Sequence, residues 1–238
     1  MASRSNVLQE RFFTALISGD RTTVRNLIDE ALESDCSGEQ ILADLFWPTT
    51  EHVQSLYRND QLSDLCFHYA TRLLRSMADQ MQLRLEQKPR NHTRVVVTCG
   101  AEESEEMAGQ ITSDLLEAAG YTVHFMGGGV ANDEVVEQLG EIQADKLVIF
   151  GAVASTVPQT RVLIDRLHDI GMCPNLQIIV GGGVFNRAEG LSEEIGSDLW
   201  ANDPSEIVEV MQEEPNRRMT ADQRTVGRKR RPSKRKAA

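Results

Sequence analysis

The sequence predicts an α/β protein in two parts: an N-terminal four-helix bundle, then a flavodoxin-like doubly wound five-stranded parallel sheet. Three observations carry this. Up to residue 86 the apolar residues recur only at helical spacing. From residue 94 onward short β-branched runs alternate with helical segments. Glycines and other small residues gather where those runs end. A polar stretch with one proline, QKPRNHT at 87–93, links the parts.

In the first part, NVLQERFFTALISGD puts Leu8, Phe12 and Leu16 on one helix face. RTTVRNLIDEALESD does the same with Val24, Leu27, Ile28 and Leu32. Ser37, with Gln40 three residues on, has the capping-box spacing that opens a third helix. Pro48 lies inside that helix and predicts a kink or break. A fourth helix is expected over 62–86, and four short-linked helices make a bundle covering 1–86.

In the second part, RVVVT, YTVHFM, KLVIFGAV, LQIIVGGG and SDLWAN read as strands. Helices are expected at 105–119, 132–142, 159–170, 187–194 and 204–212, giving a domain over 94–214. Sheets of this kind bind ligands at the C-terminal ends of their strands. Those ends here carry AEESEE, Gly127-Gly128-Gly129, Gly151 to Thr156, and Gly181-Gly182-Gly183.

Composition narrows the function classes. No stretch approaches the roughly 20 apolar residues of a membrane span. The first residues, MASRSNVLQERFF, lack an apolar signal core, so a cytoplasmic location is expected. Cys36, Cys66, Cys99 and Cys173 share no C-x-x-C spacing and read as reduced thiols, not a zinc site. Residues 217–238 hold ten Lys/Arg against one Asp, whereas the other 216 residues hold 15 basic and 35 acidic side chains. A basic tail, set at 215–238, is expected to be disordered. It has the charge to contact nucleic acid, an acidic surface or its own acidic body. No P-loop, G-x-S-x-G or receiver-type aspartate occurs, which argues against an enzyme acting alone. The acidic residues of AEESEE fit the positive end of a helix dipole.

Gly109 is followed by 41 residues and then Gly151-Ala152-Val153; 27 further residues lead to Gly181-Gly182. The segment IGSD at 195–198 precedes the last strand. With a helical bundle in front, this layout resembles the cobalamin-binding modules of methionine synthase, corrinoid methyltransferase proteins and B12-dependent light-sensing repressors. Their α/β half carries Asp-x-His-x-x-Gly, Ser-x-Leu and Gly-Gly at such spacings. The resemblance spans roughly residues 5–213.

The resemblance implies a corrin between bundle and sheet, with the nucleotide tail along Gly151, Val153, Ser155, Thr156, Gly181, Gly182 and Gly183. Counted back from Gly109, the family's histidine falls on Glu106 and its aspartate on Ser104; its serine falls on Gly151. The imidazole that binds cobalt from below is therefore missing. In the bundle, the family's Trp-x9-Glu-His falls on Tyr57 and, after nine residues, Phe67-His68. His68 is thus the candidate upper cobalt ligand, and cobalt is either base-on or held from above. The function implied is a cobalamin-binding sensor or regulatory protein that acts through a protein partner or self-association. Two alternatives stay open: a cofactor-free interaction module on the same fold, and a corrinoid protein of a methyltransferase system. Haem is the alternative cofactor, with His68, His92 or His124 as axial ligand. His124, inside an apolar strand, is expected in the core, and His52 and His168 on exposed helix positions.

Overall fold

The computed structural model describes residues 2–219 apart from Asp35, Ala152 and Met172. Helices α1 (Ala2–Ser18), α2 (Arg21–Glu33), α3 (Gly38–Gln40), α4 (Trp47–Arg58) and α5 (Asp64–Gln82) form the bundle. The sheet part runs β1 (Arg94–Cys99), α6 (Glu103–Ala118), β2 (Thr122–Gly128), α7 (Asn132–Glu141) and β3 (Lys146–Phe150). It continues with α8 (Val157–Ile170), β4 (Gln177–Gly181), α9 (Gly183–Arg187), α10 (Leu191–Ile195), β5 (Leu199–Ala201) and α11 (Pro204–Glu213). Among the described residues no helix is long and apolar enough to cross a membrane.

All strand pairs are parallel and their order is β2-β1-β3-β4-β5. The chain reverses its winding between β1 and β3, which makes that junction the switch point where such sheets bind ligands. Side-chain alternation sorts the faces. Val96, Leu147, Ile149, Ile178 and Val180 face α7 and α8. Val95, Val97, Val148, Phe150 and Ile179 face α6 and α11.

Helix α6 is buried on two sides. Ala108 and Leu116 pack on the sheet, whereas Met107, Ile111, Leu115 and Ala118 join the core of the bundle. The two parts therefore share α6 as a common wall. Trp47 adds a second tie, its ring meeting Phe150 edge-on at 5.4 Å.

Several local expectations need correction. Pro48 does not break the third helix. A π-helical stretch, Ile41–Phe46, leads directly into α4, where Pro48 is the second residue. The wider turn relieves the clash between a proline ring and the carbonyl four residues back. Ser37 and Gln40 do form the capping box. The fourth helix is shorter than 62–86, because Ser63 caps it at one end and it stops at Gln82. The helix expected at 187–194 is two short helices, separated by Gly190 with φ at 81°. His124 is exposed, not core: β2 is an edge strand, and His124 and Phe125 both lie open on it.

Candidate functional site

The site is built where β1 and β3 end. A cleft of about 390 Å³ opens there, within the usual range for ligand pockets. Thr98, Cys99, Gly100 and Ala101 form one wall; Ser155, Thr156, Gln159 and Thr160 form the other. Val135, Ile149 and Leu163 supply an apolar floor, and Gly129 to Asn132 close the side. An apolar floor with a rim of hydroxyls suits a flat heteroaromatic group that carries a polar, hydrogen-bonding end.

Glu105 ties the two walls together. Its carboxylate is fully buried and accepts the backbone N–H of Glu102 and of Val153, each at 3.3 Å. With the Glu102 side chain accepting from the N–H of Glu105, this forms a capping box at the start of α6. The carboxylate lies flat against Gly100, where a Cβ would overlap it, so this position requires glycine. The family resemblance points to Ser104 and Glu106 on either side of it, not to Glu105 itself. The E-x-x-E spacing of Glu102 and Glu105 was the available signal for the residue between them.

Ser104 and Glu106 both stand in the first turn of α6. Ser104 is 6% exposed and its hydroxyl has no partner among the described residues. Glu106 turns toward the bundle, where Arg75 of α5 donates to it from both Nη atoms at 3.3 Å. Arg75 also reaches Glu103 at 3.7 Å. Cys99, beside them, is no thiolate: burial, then Glu106 and Glu105, push its thiol up to about 12.

The remaining candidates separate into two groups. Ser155 is exposed on the cleft, and Thr156 lines it while donating to Val153 O at 2.7 Å. Gly109, Gly151, Gly181, Gly182 and Gly183 are buried instead. A Cβ at Gly109 would lie 2.9 Å from Phe125, and one at Gly181 would lie 2.8 Å from Ile207. At Gly182 (φ 104°) it would lie 2.6 Å from Phe150, so neighbouring side chains fill the space these glycines leave. Gly181 to Gly183 hold strand, loop and helix close together and do not line the cleft.

Across from the loop, Tyr57 stacks on buried Phe67 with centroids 4.0 Å apart. The Tyr57 hydroxyl donates to Asp64 at 3.0 Å, and that bond holds its pKa up. His68 is exposed next to this pair, 6.1 Å from the Phe67 ring. His68 and Arg75 are seven residues apart on α5 and so share a face, the one that meets the start of α6. His92 is exposed in the linker, and His52 and His168 are exposed on helices. Among the described residues no cluster of three or more His, Cys, Asp or Glu has metal-holding geometry.

The bundle and the sheet domain each match a family model described as a B12 binding domain, over residues 8–80 and 93–209 respectively. The chain belongs to the B12-binding family. The family's cofactor is cobalamin. Curated relatives are similar over 98 residues of this chain. Dimethylamine corrinoid protein 1 of Methanosarcina acetivorans is 32% identical over 98 residues, 41% of this chain and 45% of that protein. Dimethylamine corrinoid protein 3 of Methanosarcina mazei is 30% identical, over 41% of this chain and 58% of that protein. The chain thus spans about half the length of these relatives. Among solved structures, the monomethylamine corrinoid protein of Methanosarcina barkeri superposes with a TM-score of 0.73. It is 19% identical and covers 87% of this chain and 98% of that one, a likeness of fold.

The residues of this B12-binding chain fit one part of cobalamin and not another. The cleft has the size, the apolar floor and the hydroxyl rim for the nucleotide tail. At the start of α6 no imidazole is offered: Glu105 is committed to two backbone N–H groups and Glu106 to Arg75. A carboxylate is also a poorer partner for cobalt than an imidazole nitrogen.

Proposed function

We propose that this chain is a corrinoid protein that holds cobalamin for a partner methyltransferase. The observation that carries the binding half is the cleft at the β1–β3 switch point, lined by Ser155, Thr156 and Thr160 over Val135, Ile149 and Leu163. The names of the curated relatives, all corrinoid proteins, support carriage over sensing. This reading replaces the regulator as the preferred one. The lack of a recognisable catalytic constellation in the sequence fits a carrier that presents its cofactor to another protein.

Bound cobalamin supplies cobalt-centred carriage of a one-carbon group. The chain's own residues would bind and shield it. The exposed Ser155 hydroxyl would donate to the ribose-phosphate portion of the tail, whereas Thr156 and Thr160, whose O–H groups donate to Val153 O and Thr156 O, would only accept from ribose hydroxyls. Tyr57 and Phe67 form a stacked pair on the bundle, and exposed His68 beside them would be the imidazole available to the cofactor from that side.

Purified protein mixed with hydroxocobalamin and passed through gel filtration is expected to carry the visible absorbance with the protein peak. Free cofactor eluting alone overturns the reading. A change of oligomeric state on illuminating the adenosylcobalamin complex would return the preference to a light-responsive regulator.

A further inference from the structure

We infer that Arg75 of α5, with Glu106 and Glu103 of α6, is a salt-sensitive clasp that holds the bundle over the upper edge of the sheet and sets how fast cobalamin enters and leaves. The exchange of cofactor rests on the cobalamin reading above; the clasp is a property of the chain with or without it.

Three observations carry it. The first is register. Arg75 meets Glu106, and one turn further on Gln110 of α6 donates to Asp79 of α5 at 2.6 Å. The paired residues advance together, so α5 and α6 run side by side in the same direction. Arg75 is level with the first turn of α6, and residues 64–74 of α5 therefore project past that turn by roughly 16 Å. The projecting part carries Phe67 and His68 and stands beyond the end of the sheet where the cleft opens.

The second is a division of the seam by chemistry. Away from that edge, Ile111, Leu115 and Ala118 of α6 are buried in the core of the bundle. At the edge the contact is ionic: both Nη atoms of Arg75 donate to Glu106 at 3.3 Å, and Glu103 lies at 3.7 Å. Lifting the bundle at the edge breaks polar contacts and leaves the apolar ones as a hinge. The third is that the clasp is built to open. The side chains of Arg75, Glu106 and Glu103 are 37%, 33% and 39% exposed, and the buried Nε of Arg75 has no partner among the described residues. Ion pairs this open to water are individually weak and are screened by salt. None of the three residues lines the cleft, so the clasp acts on opening and not on affinity. Loosening it speeds entry and release alike and leaves Kd nearly unchanged.

The test uses full-length protein and hydroxocobalamin. Uptake is followed by quenching of tryptophan fluorescence after rapid mixing, and release by a chase with excess cyanocobalamin. Arg75→Gln and Glu106→Gln are each expected to raise both rates about two- to fivefold, the size of a partly exposed ion pair. The double variant is expected to be no faster than Arg75→Gln, because the two side chains act as one contact. Wild-type rates should rise from about 0.02 M to about 0.5 M salt, and those of Arg75→Gln should stay level. Unchanged rates, or effects that simply multiply in the double variant, overturn the clasp. So does faster release with unchanged uptake, which would make Arg75 a contact of the cofactor.

If the wild type takes up no cobalamin, the cobalamin reading fails and the clasp is judged on the cofactor-free protein. Amide hydrogen exchange of residues 64–74 is then expected to be about two- to fivefold faster in Arg75→Gln than in the wild type at low salt, with the difference closing at high salt. Equal exchange at low salt overturns the clasp independently of the cofactor.

Discussion

The two edges of the sheet use polar residues in opposite ways. At the lower edge, where the strands begin, polar groups close on one another around Lys146, Gln177 and Asp198, although a hollow lined by Arg94, Asp145 and Leu176 lies open beside them. Lys146, 5% exposed, donates to Gln177 and to Pro215 O, the latter at 2.9 Å. Gln177 donates in turn to Glu214 O and Arg217 O. Asp198 accepts from Ile178 N and Met219 N at 2.7 Å and from Arg218 at 3.1 Å. The chain after α11 is thereby fastened under the sheet, and Pro215, Arg217, Arg218 and Met219, expected in the disordered tail set at 215–238, belong to this network instead. At the upper edge a single buried carboxylate joins two loops, and beside it a cleft and an unpartnered Ser104 hydroxyl remain open. A saturated network contributes stability; an edge left partly unsatisfied keeps capacity to bind.

The largest expected effect comes from breaking the lower edge. Asp198→Ala removes three hydrogen bonds to a carboxylate, and each such bond contributes about 1.5–3 kcal/mol where it is buried. Part of this is recovered as Arg218 and Met219 rehydrate. A net loss of about 3 kcal/mol is expected, or roughly 6–12 °C in melting temperature for a chain of this size. Cobalamin co-elution at a temperature below the transition should be unchanged. A melting shift of only a degree or two would show that the network is ornamental.

Glu105→Ala should have a smaller effect on stability, about 2 kcal/mol, because two backbone N–H groups lose their partner at a partly open edge. Unlike Asp198→Ala, it is also expected to lower cobalamin retention, because Glu105 joins the two loops that border the cleft. Chemical denaturation combined with the retention assay separates the two edges. If Glu105→Ala melted like the wild type while Asp198→Ala lost cobalamin, the assignment of stability to one edge and binding to the other would be reversed.

The seam between bundle and α6 carries a pH signature. Asp114 is 5% exposed, and burial, then Glu117 and Asp79, raise its pKa to about 7. In the unfolded chain an aspartate titrates near 3.9. Between those values the folded state holds the proton and the unfolded state does not, so stability falls as pH rises from about 4 to about 7. Above that window both states are ionised and the penalty is complete. Asp114→Asn should remove the slope and gain about 1–3 kcal/mol at pH 8 relative to the wild type, with little change at pH 4. Denaturant titrations at the two pH values check this, and an identical slope in the variant would sink it.

How much of this was legible in the sequence follows from which interactions are local. The strands and their two buried faces follow from runs such as RVVVT and KLVIF, whose β-branched residues alternate; the direct packing of α6 into the bundle through Met107, Ile111 and Leu115 does not, because it joins residues far apart in the chain. The capping box at Ser37 is a three-residue pattern and was read directly. The role of Glu105 was not, since it depends on Val153, 48 residues away. Gly181 to Gly183 looked like a ligand slot because glycine signals close approach without naming what approaches; here it is Phe150 and Ile207. His124 was misplaced because an apolar run does not say whether its strand is central or at the edge.

His68→Ala probes the upper side of the site from the bundle. The side chain is exposed, so stability should stay within about 0.5 kcal/mol. The visible spectrum of the hydroxocobalamin complex is expected to shift, since an imidazole that replaces water on cobalt changes its ligand field. An unchanged spectrum removes His68 from the metal.

The smallest expected effect belongs to residues 220–238, which lie outside the described residues and carry eight Lys/Arg and one Asp. The chain before them is fastened at the lower edge through Asp198 and Gln177. Strands of five or six residues set that edge roughly 17–20 Å from the cleft. Deletion of 220–238 should therefore leave cobalamin co-elution and melting temperature as they are. It should abolish salt-dependent retention on an immobilised polyanion, the property that depends on the density of positive charge. A change in cobalamin retention after this deletion would mean that the basic segment reaches around the sheet to the upper edge, and the division of labour between the two edges would no longer hold.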